Sequence, residues 1–285
     1  PATIGKIGFV IINSSKLAIR FNFSIVSSET SFENFMFISR LSLLNDSTIE
    51  LLCGSIDLSS SKAVSFELLK SEALLTDFRS LTPISIYLAE LLTEADSVTL
   101  RTKAGTDLVC NIKGRAANPA PGWCYCKGSI ASPPDAETNI APIEKDSYGT
   151  IVVDGSIPCM EIGLLQNPLT LTVENGAVVK INGEKSSLLN DIFDSLGDPA
   201  TRLVAEFGIG LNPKAKLCGM MLPDEGCLGT VHIGIGSNAT IGGENNVPFH
   251  LDHVLKEPNI TIDDEIISSD KTRLSHICGY PLVSQ

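Results

Sequence analysis

The second half of the chain consists largely of short apolar runs separated by glycine, proline and asparagine, and this pattern restricts the fold more than any other feature. Its clearest runs are GTIVVDGSI, LTLTVENGAVVKING, RLVAEFGIG, GTVHIGIG and NITIDDEII. Short apolar runs bounded by turn residues are typical of β-strands. Asn175-Gly176, between two such runs, favours a hairpin with a two-residue turn. A β-rich domain is therefore expected in this half.

Two other stretches, SIYLAELLTEADSV and LLNDIFDSLGD, repeat apolar residues at helical spacing, and the first is expected to end near Asp96. Residues 1 to about 80 carry further strand-like runs such as KIGFVII and LAIRFNFSIV. We therefore predict a mixed α/β (α+β) fold with two domains. An N-terminal α/β domain is expected over residues 1–104, and a β-rich C-terminal domain with a cleft over residues 105–285.

The charge balance argues against one class of partner. The 285 residues include 33 acidic and 21 basic side chains, which gives a formal net charge of −12. Binding to a phosphate backbone depends on clustered cations that release counterions. A chain with a pI of about 4.8 lacks that surplus of cations, so nucleic acid is not expected as a partner.

Hydropathy along the chain argues against membrane insertion. No apolar run reaches the ~20 residues that a membrane-spanning helix needs. The first residues, PATIGKIGFVIINSSKLAIR, lack the basic start, the long apolar centre and the small-residue cleavage site of a signal peptide. From these two features we predict a cytoplasmic protein without a membrane partner.

The four histidines are informative because three of them lie between residues 232 and 253. In the run PFHLDHV, His250 and Asp252 occupy alternate positions, so on a strand they share one face and His253 takes the other. His232 lies inside the apolar alternation TVHIGIG, where a buried imidazole needs partners for its nitrogens. A metal ion is one such partner, although a lone strand histidine is more often hydrogen-bonded.

Two acidic residues strengthen the case for a metal. Glu206 lies between Ala205 and Phe207 in an apolar strand, where a carboxylate is costly unless it is paired or bound to a cation. Glu137 lies in the proline-rich stretch SPPDAETNIAP. Together with His232, His250 and Asp252, these two glutamates form a candidate set of metal ligands.

Taken in order, AGTDL, IKGR, SPPDAETNIAP, GTIVVDGSI, AEFGIGLNP, GTVHIGIG and FHLDHV resemble the M29 metallo-aminopeptidase superfamily over roughly residues 85 to 268. They are most similar to its leucyl-aminopeptidase-like branch, which contains aminopeptidase T and the iron-dependent dihydroxypyridine dioxygenases. The resemblance implies a metallopeptidase-like domain, a homodimer and two divalent metal ions in a cleft. It places the metal ligands at Glu137, Glu206, His232, His250 and Asp252.

The chain departs from the peptidase pattern at one position that matters for catalysis. The resemblance implies a catalytic tyrosine about seven residues beyond His232, and that position falls near Ala239. Loss of one donor to an oxyanion typically costs ~10² to 10³ in rate. Weak or no turnover of simple dipeptides is therefore expected, unless Tyr125 or Arg115 supplies the missing donor.

Three functions remain open from the sequence. The main prediction is a metal-dependent hydrolase that uses a metal-activated water on a peptide or small amide, with Zn, Mn or Co as the metal and Glu137 or Glu206 as catalytic base. The first alternative is a non-haem iron(II) ring-cleaving dioxygenase with His232, His250 and Asp252 as its facial triad. The second is an accessory peptide-binding protein of a biosynthetic pathway, with a peptidase fold and no catalysis.

Overall fold

The structure is a computed structural model. It describes the backbone of the strands between residues 3 and 57, and beyond them residues 68, 70–127, 130–263 and 265–268. The chain forms two compact units, residues 1–66 and residues 67–285. The domain boundary predicted between residues 104 and 105 lies in the turn between two strands that pair with each other, Ser97–Arg101 and Asp107–Asn111. As a statement about separately folding domains, it stays a prediction.

Strands dominate both units. The first unit contains β1 Thr3–Ile12, β2 Ala18–Ser27, β3 Asn34–Leu43, β4 Thr48–Leu52 and β5 Ile56–Asp57. They pair antiparallel in the order β1-β2-β3-β4, with β5 also on β3. The second unit contains β6 Ser97–Arg101, β7 Asp107–Asn111, β8 Asn118–Ala120, β9 Glu137–Ile140, β10 Ser147–Val153, β11 Ser156–Ile157, β12 Gly163–Leu164, β13 Leu169–Glu174, β14 Ala177–Gly183, β15 Val204–Gly210, β16 Thr230–Gly236, β17 His250–Lys256, β18 Asn259–Ile262 and β19 Glu265–Ser268.

Helices are few in the described part of the chain. The α-helices are α1 Thr82–Glu94, α2 Ser186–Leu196 and the single turn α3 Met221–Glu225. Short 3₁₀ helices cover Glu72–Leu75, Phe78–Leu81, Pro199–Arg202 and Ala239–Ile241. The predicted mixed α/β class with a β-rich C-terminal part is confirmed. No helix among the described residues has both the length and the apolar character needed to cross a membrane, and the cytoplasmic location stays a prediction.

Two antiparallel sheets make up the second unit. One has the strand order β14-β13-β10-β7-β6-β18-β19, and the other, called here the site sheet, has the order β12-β11-β17-β16-β15-β9-β8. Apolar side chains from both sheets pack into one core, for example Leu108 and Leu171 from one and Phe207 and Ile233 from the other. Alternate residues of a strand point to opposite faces. One face of the site sheet is therefore apolar and packs in this core, and the opposite face can carry polar side chains.

The hairpin predicted at Asn175-Gly176 is confirmed, because β13 and β14 pair up to Glu174 and Ala177 across a two-residue turn. Both turn residues have positive φ, 50° at Asn175 and 75° at Gly176. A type I′ turn requires this conformation, and asparagine followed by glycine adopts it at low cost.

Helix α1 holds the first strand of the site in place. Its buried residues Ser85, Leu88 and Leu92 recur at helical spacing and form the face that packs on the sheet. The hydroxyl of Ser85 donates to the main-chain oxygen of Glu137 at 3.0 Å, and the hydroxyl of Thr138 donates to the main-chain oxygen of Ser85 at 3.1 Å. These bonds join α1 to the core face of β9, and the first of them holds the main chain at Glu137.

His253 lies on the core face of β17 and is fully buried. Burial lowers the pKa of His253 to about 4, whereas an unfolded histidine titrates near ~6.5. Between these two values the unfolded chain binds more protons at this residue than the folded chain does, so its contribution to stability is present above pH ~6.5 and is lost as the pH falls towards 4.

We therefore expect acid to destabilise the wild type more than a His253→Leu variant. Urea unfolding at pH 8 and at pH 5 measures this, and the wild type is expected to lose more unfolding free energy between the two values than the variant does. Equal losses in the two proteins would contradict the assignment of a neutral, buried His253.

Candidate metal centre

Four neighbouring strands of the site sheet bring the five sequence-predicted ligands together. The strands lie in the order β17-β16-β15-β9. They contribute His250 and Asp252 from β17, His232 from β16, Glu206 from β15 and Glu137 from β9. Glu137 and Asp252, more than a hundred positions apart in the chain, are thus brought into one group of four neighbouring strands.

Glycines opposite the ligands leave room for them. In the strand register, Gly208 lies opposite His232, and Gly234 lies opposite both Glu206 and Asp252. A Cβ at Gly208 would lie 2.0 Å from Nε2 of His232, and one at Gly234 would lie 2.6 Å from Cε1 of His250. No larger residue fits at either position while the histidines keep their places, which explains the first glycine of the GIG in each strand.

The ligand atoms form two groups that share Glu206. One group consists of Glu137, Glu206 and His232, called here the inner group. The other consists of Glu206, His250 and Asp252, called here the outer group. Within each group the ligand atoms all lie within 4.8 Å of one another.

The two oxygens of Glu206 face different histidines. Nε2 of His232 lies 3.6 Å from Oε1 of Glu206, and Nε2 of His250 lies 3.1 Å from Oε2. The remaining contacts are 3.0 Å from His232 Nε2 to Oε2 of Glu137 and 3.2 Å from His250 Nε2 to Oδ1 of Asp252. Glu206 is therefore placed to bridge two adjoining cation positions.

The inner and outer groups differ in access. The side chain of His250 is 30% exposed, whereas those of Glu137 and Glu206 are 9% exposed and that of His232 only 2%. The inner group is thus the more deeply buried of the two, and His250 is the most exposed of the five side chains. Closed ligand sets are typical of structural metal positions, and catalytic positions keep an open side.

The electrostatics are those of a buried cluster of carboxylates around two imidazoles. Burial acts to lower the pKa of His250, but Asp252 and Glu206 outweigh it and raise that pKa to about 11. The pKa of His232 is raised in the same way, because Glu137, Glu206 and Asp252 outweigh the effect of burial and bring it well above the usual value. Burial acts to raise the pKa of Asp252, yet His250 and His232 hold it well below its usual range. A positive charge is strongly favoured at this point of the fold.

The donor set fits a divalent metal ion. Oε2 of Glu137 is buried and has no hydrogen bond, although it lies 3.0 Å from Nε2 of His232. Nδ1 of His250 is bound to the main-chain oxygen of Ser237 at 2.7 Å, which fixes the ring and turns Nε2 towards the carboxylates. Metal-binding histidines are commonly oriented by this kind of bond on the opposite nitrogen.

Sequence reasoning missed three further polar residues beside the ligands: Asp135, Asn139 and Glu225. Burial and the charge of Glu137 raise the pKa of Asp135 well above its usual value, and burial and Asp252 do the same for Glu225. Asp135 lies two residues before Glu137, so the acidic pair in SPPDAE was a usable signal. Glu225 comes from the short helix α3, and nothing in its local sequence indicates that it reaches this centre.

The two residues considered as replacement donors make other contacts. The guanidinium of Arg115 pairs with Glu144 and donates to the main-chain oxygen of Gly242 at 2.8 Å. Tyr125 lies beside Trp123, with ring centroids 6.4 Å apart, and the indole of Trp123 donates to Thr82 at 2.8 Å. Arg115 therefore fastens the loop before β17, and Trp123 fastens its loop to the start of α1.

With this geometry established, comparisons with known proteins identify relatives. A family model described as 2,5-dihydroxypyridine 5,6-dioxygenase matches residues 85–274. The chain is 28% identical over 188 residues to the 2,5-dihydroxypyridine 5,6-dioxygenase of Pseudomonas putida KT2440, covering 62% of this chain and 54% of that protein. This chain therefore spans about half the length of its curated relative.

Solved structures give the same result for the fold. The structure of 2,5-dihydroxypyridine dioxygenase from Pseudomonas putida KT2440 matches with a TM-score of 0.63 and 25% identity, over 72% of this chain and 62% of that one. AmpT from Thermus thermophilus, an M29 aminopeptidase, matches with a TM-score of 0.53 and 19% identity, over 66% and 53% of the two chains. The second match supports the M29-like fold alone.

These findings correct the main functional prediction. The metal-dependent hydrolase acting on a peptide or amide is wrong, and so are the aminopeptidase and metalloprotease interpretations and the peptide as substrate. The error has a physical origin, because histidine and carboxylate ligands serve hydrolytic and oxidative metals alike. The match over residues 85–274 covers more than half of the 285 residues, including all five ligand positions, and the chain belongs to the 2,5-dihydroxypyridine 5,6-dioxygenase family.

Proposed function

We propose that this chain is an iron(II)-dependent dioxygenase that opens a dihydroxylated pyridine ring. The observation that carries the proposal is the cluster of two imidazoles and three carboxylates on four adjacent strands, inside the segment that matches the dioxygenase family. Iron(II), when bound, supplies the redox chemistry that lets dioxygen react with an aromatic ring. Imidazole and carboxylate ligands that leave open positions are the usual environment of such iron.

We assign the reacting position to the outer group. Glu206, His250 and Asp252 would hold the metal there, and the 30% exposure of the His250 side chain marks the side from which a ring can enter. The inner group is more deeply buried, so Glu137 and His232 would hold an ion that does not meet substrate. In this arrangement Glu206 would contribute to both positions, because its two oxygens face different histidines.

This assignment differs from the facial triad expected from sequence. His232, His250 and Asp252 do not form one ligand group among the described residues, because His232 groups with Glu137 and Glu206 instead. The outer group thus has one imidazole and two carboxylates. We propose all five residues as metal ligands, with Glu137 and Glu206 as ligands rather than catalytic bases. The homodimer stays a prediction.

Oxygen uptake tests the proposal. Protein loaded with iron(II) under anaerobic conditions is mixed with 2,5-dihydroxypyridine and air-saturated buffer, and an oxygen electrode records the consumption of dioxygen. We expect uptake that requires both iron and substrate, and a product in which mass spectrometry with ¹⁸O₂ finds two labelled oxygen atoms. 2-Hydroxypyridine serves as the control substrate. It lacks the 5-hydroxyl group, which makes the ring more electron-rich and easier to oxidise, so we expect much slower uptake with it.

Two results would contradict the proposal. One is iron-loaded protein that consumes no dioxygen with 2,5-dihydroxypyridine. The other is a product that carries a single labelled atom, since that outcome indicates a monooxygenase. Zinc-loaded protein provides the matched control for metal identity, because zinc has no redox chemistry.

A further inference from the structure

Asn139 is a buried polar residue beside the inner group that the ligand set does not include. It lies two positions after Glu137 in β9, so both side chains point to the same face of the site sheet. Its Nδ2 donates to Oε1 of Glu137 at 2.6 Å. In the strand register it also lies opposite Gly208, the residue that faces His232 on its other side. Asn139 therefore bonds to one ligand, and Gly208 lies between it and another.

The bond from Asn139 fixes which oxygen of Glu137 is available. With Oε1 held by the amide, the carboxylate cannot rotate without breaking a buried hydrogen bond. Its other oxygen, Oε2, is left 3.0 Å from Nε2 of His232 and has no hydrogen bond of its own. A carboxylate with one oxygen anchored and one oxygen free is suited to bind a cation through the free one.

Asn139 is in turn held from outside the centre. Its Oδ1 accepts from Nδ2 of Asn118 in β8 at 3.0 Å, and Asn118 also donates to the main-chain oxygen of Ile241 at 3.2 Å. Ile241 belongs to the segment that joins β16 to β17, the two strands that carry the histidines. A chain of side-chain amides thus connects Glu137 to the segment between the histidine strands. It fixes the orientation of the Asn139 amide, which donates to Glu137.

We propose that Asn139 is a positioning residue for the inner metal position, which holds Oε1 of Glu137 so that Oε2 is presented to the cation. This inference rests on the proposed metal centre and adds to it a residue that does not itself bind the metal. Replacing a residue that orients a ligand typically weakens metal binding by ~10- to 100-fold. The loss is expected at the inner position, because the outer group does not include Glu137.

The test is a titration of the metal-free chain with cobalt(II), followed by its visible absorption and by competition with a chelator. The wild type is expected to bind two ions with distinct affinities. In Asn139→Ala one of them is expected to bind ~10- to 100-fold more weakly with an altered spectrum, and the other to keep its affinity. Asn118→Ala leaves the Asn139 bond to Glu137 in place, and it should produce a smaller loss for the same ion.

Thr138→Val is the matched control. Thr138 directly precedes Asn139 on the same strand and is fully buried. Its side chain points to the opposite face and bonds to Ser85, so the substitution by valine also removes buried hydrogen bonds. It should lower the melting temperature without changing either cobalt affinity, because the bond from Ser85 to the main-chain oxygen of Glu137 stays in place. If both Asn139→Ala and Asn118→Ala bind both ions with wild-type affinity, the role proposed for Asn139 is overturned, but the metal centre itself is not. A wild type that binds no metal would overturn the metal centre, and this inference with it.

Discussion

Replacing His250 with alanine is expected to remove the outer metal ion and to reduce oxygen uptake by more than the ~100-fold seen when a ligand merely loses its orientation. The imidazole is one of three ligands in the outer group, and its Nε2 is the only nitrogen donor of that group. Without it, Glu206 and Asp252 alone remain as ligands at that position. The chain should stay folded, because the core between the two sheets does not include His250.

Iron content after anaerobic loading, together with far-ultraviolet circular dichroism, measures this outcome. Lys256→Ala is the matched control, since Lys256 ends the same strand at an exposed position and touches no ligand. It should keep the wild-type metal content and oxygen uptake. An unchanged ratio of metal to protein in His250→Ala would mean that the outer position lies elsewhere.

The second large effect is expected at a residue without a side chain. A Cβ at Gly208 would lie 2.0 Å from Nε2 of His232, so Gly208→Ala must displace the imidazole or spread the strands. Forcing an extra methyl into a packed interior typically costs ~1 to 3 kcal/mol. We expect a loss of stability of that size together with loss of the inner metal position, because displaced His232 no longer faces Glu137.

Urea unfolding and cobalt titration of the same samples measure both parts of this prediction. Ile209→Val is the control on the same strand, because Ile209 points to the core face and is buried there. It should cost ~0.5 to 1.5 kcal/mol and leave metal binding unchanged. Gly208→Ala with wild-type affinity for both ions would show that the glycine is not needed for the geometry of His232.

Local patterns predicted the elements of this fold well. The hairpin at Asn175-Gly176 followed from turn chemistry, and helix α2 followed from the spacing of apolar residues in LLNDIFDSLGD. The candidate ligands followed from the free-energy cost of burying a polar group, because a histidine or glutamate inside an apolar strand needs a partner. The glycines of AEFGIG and GTVHIGIG were seen only as part of the motif, although they provide the space for the ligands.

The arrangement of the ligands did not follow from sequence. Their division into an inner and an outer group depends on the strand order β17-β16-β15-β9, which no local pattern specifies. For the same reason Asn139 and Glu225 were missed, since only the folded sheet and helix α3 bring them to the ligands. The choice of a hydrolase failed because the five ligand types suit both chemistries. The absence of a tyrosine near Ala239 was the one residue-level sign against a peptidase.

The most direct test of the account is the position of iron in crystals of the iron-loaded chain, located by anomalous scattering at the iron absorption edge. We predict a peak bounded by Glu206, His250 and Asp252, within bonding distance of Nε2 of His250 at about 2.0 to 2.3 Å, the range seen for nitrogen and oxygen ligands of divalent metals. Iron bound away from the four strands β17-β16-β15-β9, or no anomalous peak in protein that consumes dioxygen with 2,5-dihydroxypyridine, would contradict the assignment of this centre.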